Sequence, residues 1–579
     1  MWQYQAPLRD MRFVLEHWLQ APAAWAELPA FIDLDLPLAL QVLEEAARFS
    51  SAVLAPLNAS GDRQGCSWRE GEVSTPEGFA AAYRAYVEGG WPALACAPEH
   101  GGQGLPQLLD AALQEMLYAS NHGWAMYTGI AHGAYLCLHA HAPQSLKERY
   151  LPAIVSGEIL PTMCLTEPQA GSDVGLLRCR AESQDDGSYR LSGSKLFISG
   201  GEHDLTAAIL HLVLARLPDA PAGTRGISLF LVPKRLDDGT RNAVRCDGIE
   251  HKMGIKGSAT CSLSFEGAQG WLIGEPNRGL AALFVMMNSA RLHVGLQGLG
   301  HAEAAWQNAL DYARERRQMR APGRPEGVAA APADPIHYHP AMRLALLRLR
   351  TVSQGLRVIG YWGAHLLDQA EHANSEPARQ QATRLAGLLT PVIKAFFTDQ
   401  GFHLASEALQ VFGGYGYIGE YGIEQTLRDS RIAMIYEGSN EIQANDLLLR
   451  KVLGDGGVAL GELLALFEQE AAAGGEYADP LSALSAKLRV VVKGIFTRAE
   501  GDGEYPYRIA SDFLHLLGWA LLAHAWARSA RLANALLAND PWYQEKLDGA
   551  AFFFSYLSPE IDLRLARIDA ARAPLGFLT

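Results

Sequence analysis

The sequence predicts a mainly α-helical protein with a small antiparallel β domain at its centre and an extra helical domain at its C-terminal end. Apolar residues recur at spacings of three and four over residues 36–160, 276–454 and 456–579, as in amphipathic helices. Residues 161–275 instead carry short runs rich in β-branched and aromatic residues between turn signals, as in strands. The chain is too long for a single core, so several domains are expected.

The elements follow one another in five segments. Residues 1–35 form an N-terminal extension, and residues 36–160 are a helical domain with turn-forming clusters such as GGWPAL and PEHGGQGLP. In residues 161–275 the runs YRLSGSKLFIS, AAILHLVLARL, GISLFLVPKRL and CSLSFEGAQGWLIG predict the strands. In residues 276–454 the run from Leu280 to Met319 is about forty residues without proline, which predicts one very long helix or two end to end. Residues 456–579 form the extra helical domain.

The composition is that of a globular protein. The 579 residues are 49% apolar and 19% charged, with a formal net charge of −14 that argues against nucleic acid or an anionic membrane as the main partner. No apolar run reaches the roughly 18 residues of a membrane span, and the N-terminal stretch lacks the apolar core of a signal peptide. The seven cysteines form no C-x-x-C pair, as in a cytoplasmic protein with reduced thiols.

A glycine-rich stretch, GGYGYIGEYG at residues 413–422, contains the pattern G-x-G-x-x-G of dinucleotide-binding loops. That pattern requires a strand before it and a helix after it. The residues before it, LLTPVIKAFFTDQGFHLASEALQVF, have helical spacing, so the glycines are predicted to end a helix. The match is therefore interpreted as accidental.

Three further stretches offer residues suited to chemistry. The segment CLTEPQAGSDVG places hydroxyls and small residues where helices give way to strands, a loop type that can hold an anion or the edge of a heterocycle. On the next predicted strand, Phe197 and Ser199 alternate and face one side, which suits a flat heteroaromatic ring as well as it suits a core. In IYEGSNEIQ, Glu437 stands between a tyrosine and a glycine.

Five motifs in fixed order resemble the acyl-CoA dehydrogenase family: MCLTEPQAGSDVG, KLFISGG, YARERRQM, EALQVFGGYGYIGEYGIEQTLRDSRI and IYEGSNEIQ. The resemblance covers residues 36–454 and implies an α-helical N domain, a β domain and an α-helical C domain. The N-terminal extension, the insertion before HYHPAMR and the extra C-terminal domain resemble a long bacterial branch. That branch includes 3-methylmercaptopropionyl-CoA dehydrogenases and related fatty acyl-CoA dehydrogenases.

The resemblance implies an FAD enzyme that oxidises a saturated acyl-CoA to the trans-2-enoyl-CoA in fatty acid β-oxidation and passes electrons to an electron-transfer flavoprotein. Glu437 would be the base that removes the α proton, with a pKa raised by an apolar site beside Met434, Ile435 and Tyr436. The protein would be a cytoplasmic homodimer. The resemblance assigns no metal.

The remaining site residues are carried over from the same resemblance. The flavin ring would be met by Thr166, Phe197 and Ser199, and Ser172 would lie near the pyrophosphate and the acyl-CoA. The adenosine diphosphate half of a neighbouring subunit's FAD would be held by Arg316, Gln318, Gln410, Val411, Gly413 and Gly414. Ser439 and Glu441 would also touch FAD, and Asn288, Arg291 and Gly438 would contact the acyl-CoA.

Three positions depart from the pattern of many family members. Phe197 and Ser199 stand where those members have Trp and Thr, which keeps aromatic and hydroxyl character. Asn288 stands where they have Asp, and a neutral amide cannot act as a carboxylate.

The same residues bear on several alternative functions. A metal site built from His122, His132, His139 and His141 is disfavoured by helical geometry, and no G-x-S-x-G supports a hydrolase. An acyl-CoA oxidase would share the fold, the flavin and the glutamate, so it stays open. A DNA-binding flavoprotein of the same fold would need a basic C-terminal domain, whereas residues 456–579 hold 11 basic and 15 acidic residues. In that domain FFFSYL could contact a membrane, although packing is favoured.

Overall fold

The computed structural model describes residues 2–329, 331–571 and 576. Two compact units make up the chain. One, here called the helical unit, comprises Met1–Ala47, Pro106–Ala119 and Val294–Thr579. The other, here called the mixed unit, comprises Arg48–Leu105 and Ser120–His293. Neither unit is continuous in sequence, so each draws on several of the five predicted segments.

The first 160 residues are mainly helical, as predicted, with helices α1 Leu8–Phe13, α2 Ala21–Glu27, α3 Leu36–Phe49, α4 Ala55–Gln64, α5 Phe79–Glu88, α6 Gln107–Thr128, α7 Ala131–His141 and α8 Gln144–Val155. Helix α6 is interrupted at Asn121, whose side chain accepts a hydrogen bond from the Trp124 N–H at 3.0 Å and so begins the second half of the helix. A short antiparallel hairpin of strands β1 Ser67–Arg69 and β2 Glu72–Ser74 was not predicted. Its turn, Glu70-Gly71, has positive φ at both residues.

The β domain is a seven-stranded sheet of β3 Ile159–Cys164, β4 Arg180–Ser183, β5 Tyr189–Ser199, β6 Ala208–Arg216, β7 Ile227–Pro233, β8 Val244–Ile249 and β9 Thr260–Ile273. Most neighbours are antiparallel, as predicted. Two pairings correct that prediction, because β3 and β4 both run parallel to β6. Strand β6 is buried along nearly its whole length, which accounts for its continuous apolar sequence. Helices α7 and α8 pack with this sheet into the core of the mixed unit.

Helices α9 Gly279–Glu315, α10 Pro340–His372, α11 Glu376–Phe412, α12 Ile423–Ser430 and α13 Asn440–Asn445 follow the sheet. The proline-free run is a single 37-residue helix, α9, which contributes to both units. By length and composition α9 could cross a membrane, but 67% of its most apolar window is buried inside the protein, as in a core helix. Helix α11 ends at Phe412 and Gly413 caps it with φ of +60°, so a helix precedes the glycine-rich stretch, as predicted.

The C-terminal residues form α14 Val458–Ala472, α15 Ala478–Gly501, α16 Tyr505–Leu536, α17 Gln544–Phe552 and α18 Pro559–Ala570, all in the helical unit. In the FFFSYL run, Phe552, Phe553 and Leu557 are buried. Phe554 stacks on Tyr477 with ring centroids 4.2 Å apart. This favours packing over membrane contact for the run.

The N-terminal extension is an integral part of the helical unit. Trp18 packs edge-on against His524 of α16, with ring centroids 5.8 Å apart, and the buried Lys546 of α17 pairs with Asp10 of α1. Burial of Trp18 and Trp25 supplies apolar area that the extension could not bury alone. The extension and the C-terminal helices therefore stabilise one another.

Candidate active site

Glu437 lies on a tight turn between a 3₁₀ turn, Arg431–Met434, and the start of α13. Its backbone is left-handed, with φ of +55°, and Gly438 follows with φ of +81°. A left-handed conformation costs a residue with a side chain roughly 1–2 kcal/mol, so neighbouring groups must hold it. Strain of this kind concentrates at functional sites. Among the described glutamates Glu437 shares it only with Glu70, whose conformation belongs to the β1–β2 hairpin turn.

Two side chains hold the carbonyl groups of this turn. The Gln443 amide donates to the Glu437 carbonyl at 3.0 Å, and the Lys394 ammonium donates to the Gly438 carbonyl at 2.8 Å. Lys394 is completely buried in α11, so its charge is directed at the turn and not at solvent. The position of the Glu437 carboxylate is thus fixed through its own backbone.

The residue before Glu437 is fixed from another direction. The Tyr436 hydroxyl donates to the Gln297 side-chain oxygen, and Tyr118 also hydrogen bonds with Gln297. Burial raises the pKa of Tyr436 well above its ordinary value, so the phenol stays protonated and remains a donor. Of the apolar neighbours expected to dry the site, Ile435 is 53% exposed, so it does not bury the carboxylate within this chain.

A cavity of about 110 Å³ lies beside the same turn. Ser439 and Glu441, both expected to touch FAD, line it together with Arg431 and with His515 of α16. Arg431 Nη1 and His515 Nδ1 are buried and have no hydrogen-bond partner in the described part of the chain. At roughly 30 Å³ per water, the cavity has room for a few waters or one small polar group, so it can hold only part of a dinucleotide.

The candidate flavin residues of the mixed unit lie around a β-bulge in strand β5. The pairing of β5 with β9 shifts between Lys195 and Ile198, and Phe197 has φ of +59°. Before the bulge Leu191 and Lys195 are buried, and after it Ile198 is buried. The bulge therefore moves Phe197, which is 60% exposed, and half-buried Ser199 off the buried face that regular alternation would give them.

The loop that carries Thr166 and Ser172 is braced by a residue that the sequence reasoning missed. The buried Glu167 carboxylate accepts hydrogen bonds from Lys195 Nζ at 2.8 Å and from the backbone N–H groups of Arg178 and Cys179 at 2.7 and 3.1 Å. These bonds hold the pKa of Glu167 below its ordinary value despite burial. The loop is thus anchored, with Thr166 half-buried and Ser172 exposed at its tip.

The donor set of the mixed unit fits a flavin ring. The hydroxyls of Thr166, Ser172 and Ser199 have no hydrogen-bond partner among the described residues, and the Phe197 ring is exposed. An aromatic surface with unused hydroxyls nearby is what a flat heteroaromatic ring with polar edges requires.

The residues expected at the adenosine diphosphate half lie in the helical unit. The Arg316 guanidinium sits over the Tyr415 ring, 5.2 Å from its centroid. Val411 is buried, so only its backbone could meet a ligand. A Cβ built on Gly413 or Gly414 would meet nothing within 4 Å. The positive φ of Gly413 favours glycine there. At Gly414 a side chain would meet no described atom of this chain, so the surface above it is accessible. Gln318 and Gln410 are exposed.

The expected substrate residues on α9 differ in burial. Asn288 is exposed and Arg291 is buried. Gly133 of α7 packs directly against α9, because a Cβ there would lie 3.1 Å from the Met286 carbonyl oxygen and 3.2 Å from its Cγ. The space that glycine leaves is taken by α9 itself.

One histidine of the disfavoured metal hypothesis has metal-binding neighbours that the hypothesis did not include. His139 lies with Glu99 and His100, and one ligand atom of each lies within 4.8 Å of the others. Glu99 is 65% exposed, and His100 Nδ1 is already 3.0 Å from the Tyr135 hydroxyl.

The sequence reasoning also missed the residues that support Glu437, namely Lys394, Gln443 and Gln297. A lone lysine in the apolar run LLTPVIKAFF was the available signal, because a charged residue rarely lies in such a run without a partner. No comparable signal marks the two glutamines.

The chain matches four domain descriptions of one family. These are the acyl-CoA dehydrogenase N-terminal domain over residues 39–158, the middle domain over 162–268 and the C-terminal domain over 277–451. A further match, to an acetyl-CoA dehydrogenase C-terminal-like domain, covers residues 460–575.

Two relatives extend along almost the whole chain. One is the 3-methylmercaptopropionyl-CoA dehydrogenase of Ruegeria pomeroyi, 40% identical over 98% of both chains. The other is the broad-specificity linear acyl-CoA dehydrogenase FadE5 of Mycobacterium tuberculosis, 33% identical over 96% of both chains.

The fold is also that of an acyl-CoA dehydrogenase from Bacillus anthracis solved with FAD, with a TM-score of 0.76 at 21% identity, covering 95% of this chain and 91% of that one. That structure shows the shared fold, whereas the domain matches and the two relatives confirm the resemblance inferred from the motifs and, with it, FAD as the cofactor of the family. The chain belongs to the acyl-CoA dehydrogenase family, and it is an FAD-dependent oxidoreductase that acts on the CH–CH group of an acyl-CoA.

Proposed function

We propose that the enzyme oxidises a saturated fatty acyl-CoA to its trans-2-enoyl-CoA in β-oxidation, with Glu437 as the base that removes the α proton. The observation that carries this proposal is the turn at Glu437. A half-buried carboxylate stands on left-handed backbone whose carbonyls are held by Lys394 and Gln443. Such fixing serves a group that must meet one C–H bond in one orientation.

The chain's own residues supply the acid–base part of the reaction. The Glu437 carboxylate forms an O–H bond as the α C–H bond breaks, and negative charge develops on the thioester carbonyl. The backbone N–H of Glu437 is suited to stabilise that charge, because φ of +55° fixes its direction before the reaction. FAD, when bound, would supply the acceptor for the hydride of the β carbon. Thr166, Ser172, Phe197 and Ser199 would hold its ring.

The acyl group is proposed to be linear. The relative from Mycobacterium tuberculosis, named for linear acyl-CoAs, matches 96% of the chain. A 3-methylmercaptopropionyl-CoA substrate is the second candidate, and the 40% identity to the Ruegeria pomeroyi enzyme over 98% of the chain favours it. Both substrates are unbranched at the α and β carbons, so the same base and the same carbonyl stabilisation would serve either.

The electron acceptor, assembly and location are further parts of the proposal. An electron-transfer flavoprotein would accept the electrons, and a cytoplasmic homodimer would complete the cofactor site. The open surface above Gly413 and Gly414 supports the dimer, because a partner's cofactor could approach there. An acyl-CoA oxidase would instead reduce oxygen, so oxygen consumption during turnover separates the two enzymes.

The test begins with a screen of saturated acyl-CoAs of about four to eighteen carbons, together with 3-methylmercaptopropionyl-CoA, which follows bleaching of the bound flavin without oxygen. Bleaching is expected with at least one of them, and uniform inactivity of a yellow enzyme would overturn the proposal. The variant Glu437→Gln should keep its flavin and lose the bleaching. Bleaching that persists in that variant would remove Glu437 from the mechanism.

A further inference from the structure

The turn that carries Glu437 is connected to helix α16 of the C-terminal domain by a chain of buried hydrogen bonds. Its first link is Asn440, at the start of α13. The Asn440 side-chain oxygen accepts a hydrogen bond from Lys394 Nζ at 2.9 Å, and the same ammonium donates to the Gly438 carbonyl at 2.8 Å. Asn440 therefore fixes the lysine that fixes the turn.

The second link is Asp399, which follows Lys394 along α11. Its Oδ1 accepts a hydrogen bond from Asn440 Nδ2 at 2.7 Å. Asn440 Nδ2 also donates to the Ala395 carbonyl at 3.1 Å and to the Thr398 hydroxyl at 3.0 Å. The bond to Asp399 is the shortest of the three and has a charged acceptor, so it contributes most to orienting the amide, with its nitrogen toward the carboxylate and its oxygen toward Lys394. A rotated amide would place two donors against the ammonium.

The third link comes from α16. His515 Nε2 lies 2.9 Å from Asp399 Oδ2, and both side chains are nearly buried, with 13% and 12% of their surface exposed. The His515 ring packs edge-on against Phe396, with centroids 5.7 Å apart. Each oxygen of Asp399 thus has its own partner, Asn440 on one side and His515 on the other.

The cavity beside the turn gives this third link its importance. His515 and Asp399 both line it, as do Ser439 and Asn440. Without the imidazole, Asp399 Oδ2 would face open space and the carboxylate could rotate toward water. The bond to Asn440 would then lose its fixed direction.

We infer that His515 is a positioning residue for catalysis. Through Asp399, Asn440 and Lys394 it keeps the turn at Glu437 in its left-handed conformation. The C-terminal domain therefore helps to build the active site, in addition to covering the helices beneath it. This inference rests on the proposed role of Glu437 as the base.

The test uses the full-length enzyme with bound FAD and compares three variants. His515→Phe keeps a ring against Phe396 and removes the donor, whereas His515→Gln keeps an amide donor for Asp399. His524→Phe is the matched control, because it makes the same substitution on α16 outside the lining of this cavity, where the ring stacks on Phe467. The readout is the rate of anaerobic flavin bleaching by a saturated acyl-CoA, with KM and flavin content measured in parallel.

We expect His515→Phe to slow bleaching about tenfold at unchanged KM and flavin content, since a small displacement of a base is costly. His515→Gln should recover most of the rate, and His524→Phe should match the wild type. Wild-type bleaching in His515→Phe, or equal loss in both His515 variants, would overturn the inference. If His515→Phe does not fold, His515→Ala is compared with His515→Gln in the same way.

Glu437→Gln is measured beside these variants. If it does not bleach and His515→Phe bleaches at the wild-type rate, the positioning role alone is wrong. If Glu437→Gln itself bleaches, the base is another residue and the proposed function fails together with this inference.

Discussion

Lys394 Nζ donates a 2.8 Å hydrogen bond to the carbonyl of Gly438, the residue that follows Glu437. Taking an ammonium out of water is costly unless its hydrogen bonds are satisfied. Here the ammonium donates hydrogen bonds to the backbone of one turn and to the Asn440 side-chain oxygen. The buried charge is therefore explained by the geometry that it gives to the neighbouring carboxylate.

Replacing this lysine tests that explanation. Lys394→Met keeps a side chain of similar length and leaves the Gly438 and Asn440 oxygens without their donor. We expect a lower melting temperature and more than tenfold slower flavin bleaching, because two charge-assisted bonds of about 1.5–3 kcal/mol each are lost. Lys487→Met is the control, since that lysine is 59% exposed in a surface ion pair. A Lys394 variant that bleaches like the control would contradict the explanation.

Gly438 offers a second test of the turn. A Cβ there would lie 2.8 Å from Gln443 Nε2, the group that holds the Glu437 carbonyl, and φ is +81°. Backbone strain in Gly438→Ala should lower the free energy of unfolding by roughly 1–2 kcal/mol. The rate of flavin bleaching should also fall, by more than this loss of stability would cause in an enzyme that stays folded. Gly461→Ala, at a helical glycine with nothing within 4 Å of the added Cβ, should be neutral or stabilising. Melting curves and bleaching rates measure the two effects separately.

The sequence predicted what depends on local spacing. The long proline-free run predicted α9, and a glycine at the end of α11 is a local signal. The hairpin at Ser67–Arg69 and Glu72–Ser74 was missed because three-residue strands are too short to show a period. The parallel pairing of β3 with β6 was missed because the sequence of a strand does not indicate which distant strand it pairs with.

The residues of the candidate site also fall into those that local motifs predict and those that only the fold brings together. Glu437 and the hydroxyls near Phe197 could be identified, because each lies in a recognisable motif. The support of Glu437 could not, since Lys394 is 44 residues from Gly438 and only the fold brings them together. The bulge in β5 is a further example: alternation predicted that Phe197 and Ser199 share a side, but not that this side would be accessible.

The helical unit also contains a buried ion cluster whose loss should be severe. Arg357 donates to Glu115 at 2.6 Å and to Glu303 at 2.7 Å, and all three side chains are buried. Arg357→Met would leave two carboxylates facing each other without a cation, which should cost about 3–5 kcal/mol. The melting temperature should fall far more than in Arg489→Met, where the ion pair is half exposed. Equal changes would show that the cluster is not needed for stability.

Buried histidines predict that the protein loses stability in mild acid. Burial, aided by Arg528, lowers the pKa of His524 to about 3, whereas an unfolded chain keeps a value near 6.5. Between those values the unfolded state binds the extra proton, so stability rises with pH up to about 6.5 and is lost as pH falls toward 3.

His524→Phe can still stack on Phe467, which lies 4.7 Å away between ring centroids. Between pH 7 and pH 5 the free energy of unfolding of the wild type should fall by about 2 kcal/mol more than that of His524→Phe. His403→Phe, at an exposed position, should follow the wild type, and denaturant titrations at the two pH values decide. The same pH dependence in His524→Phe and the wild type would mean that folding does not lower the pKa of His524.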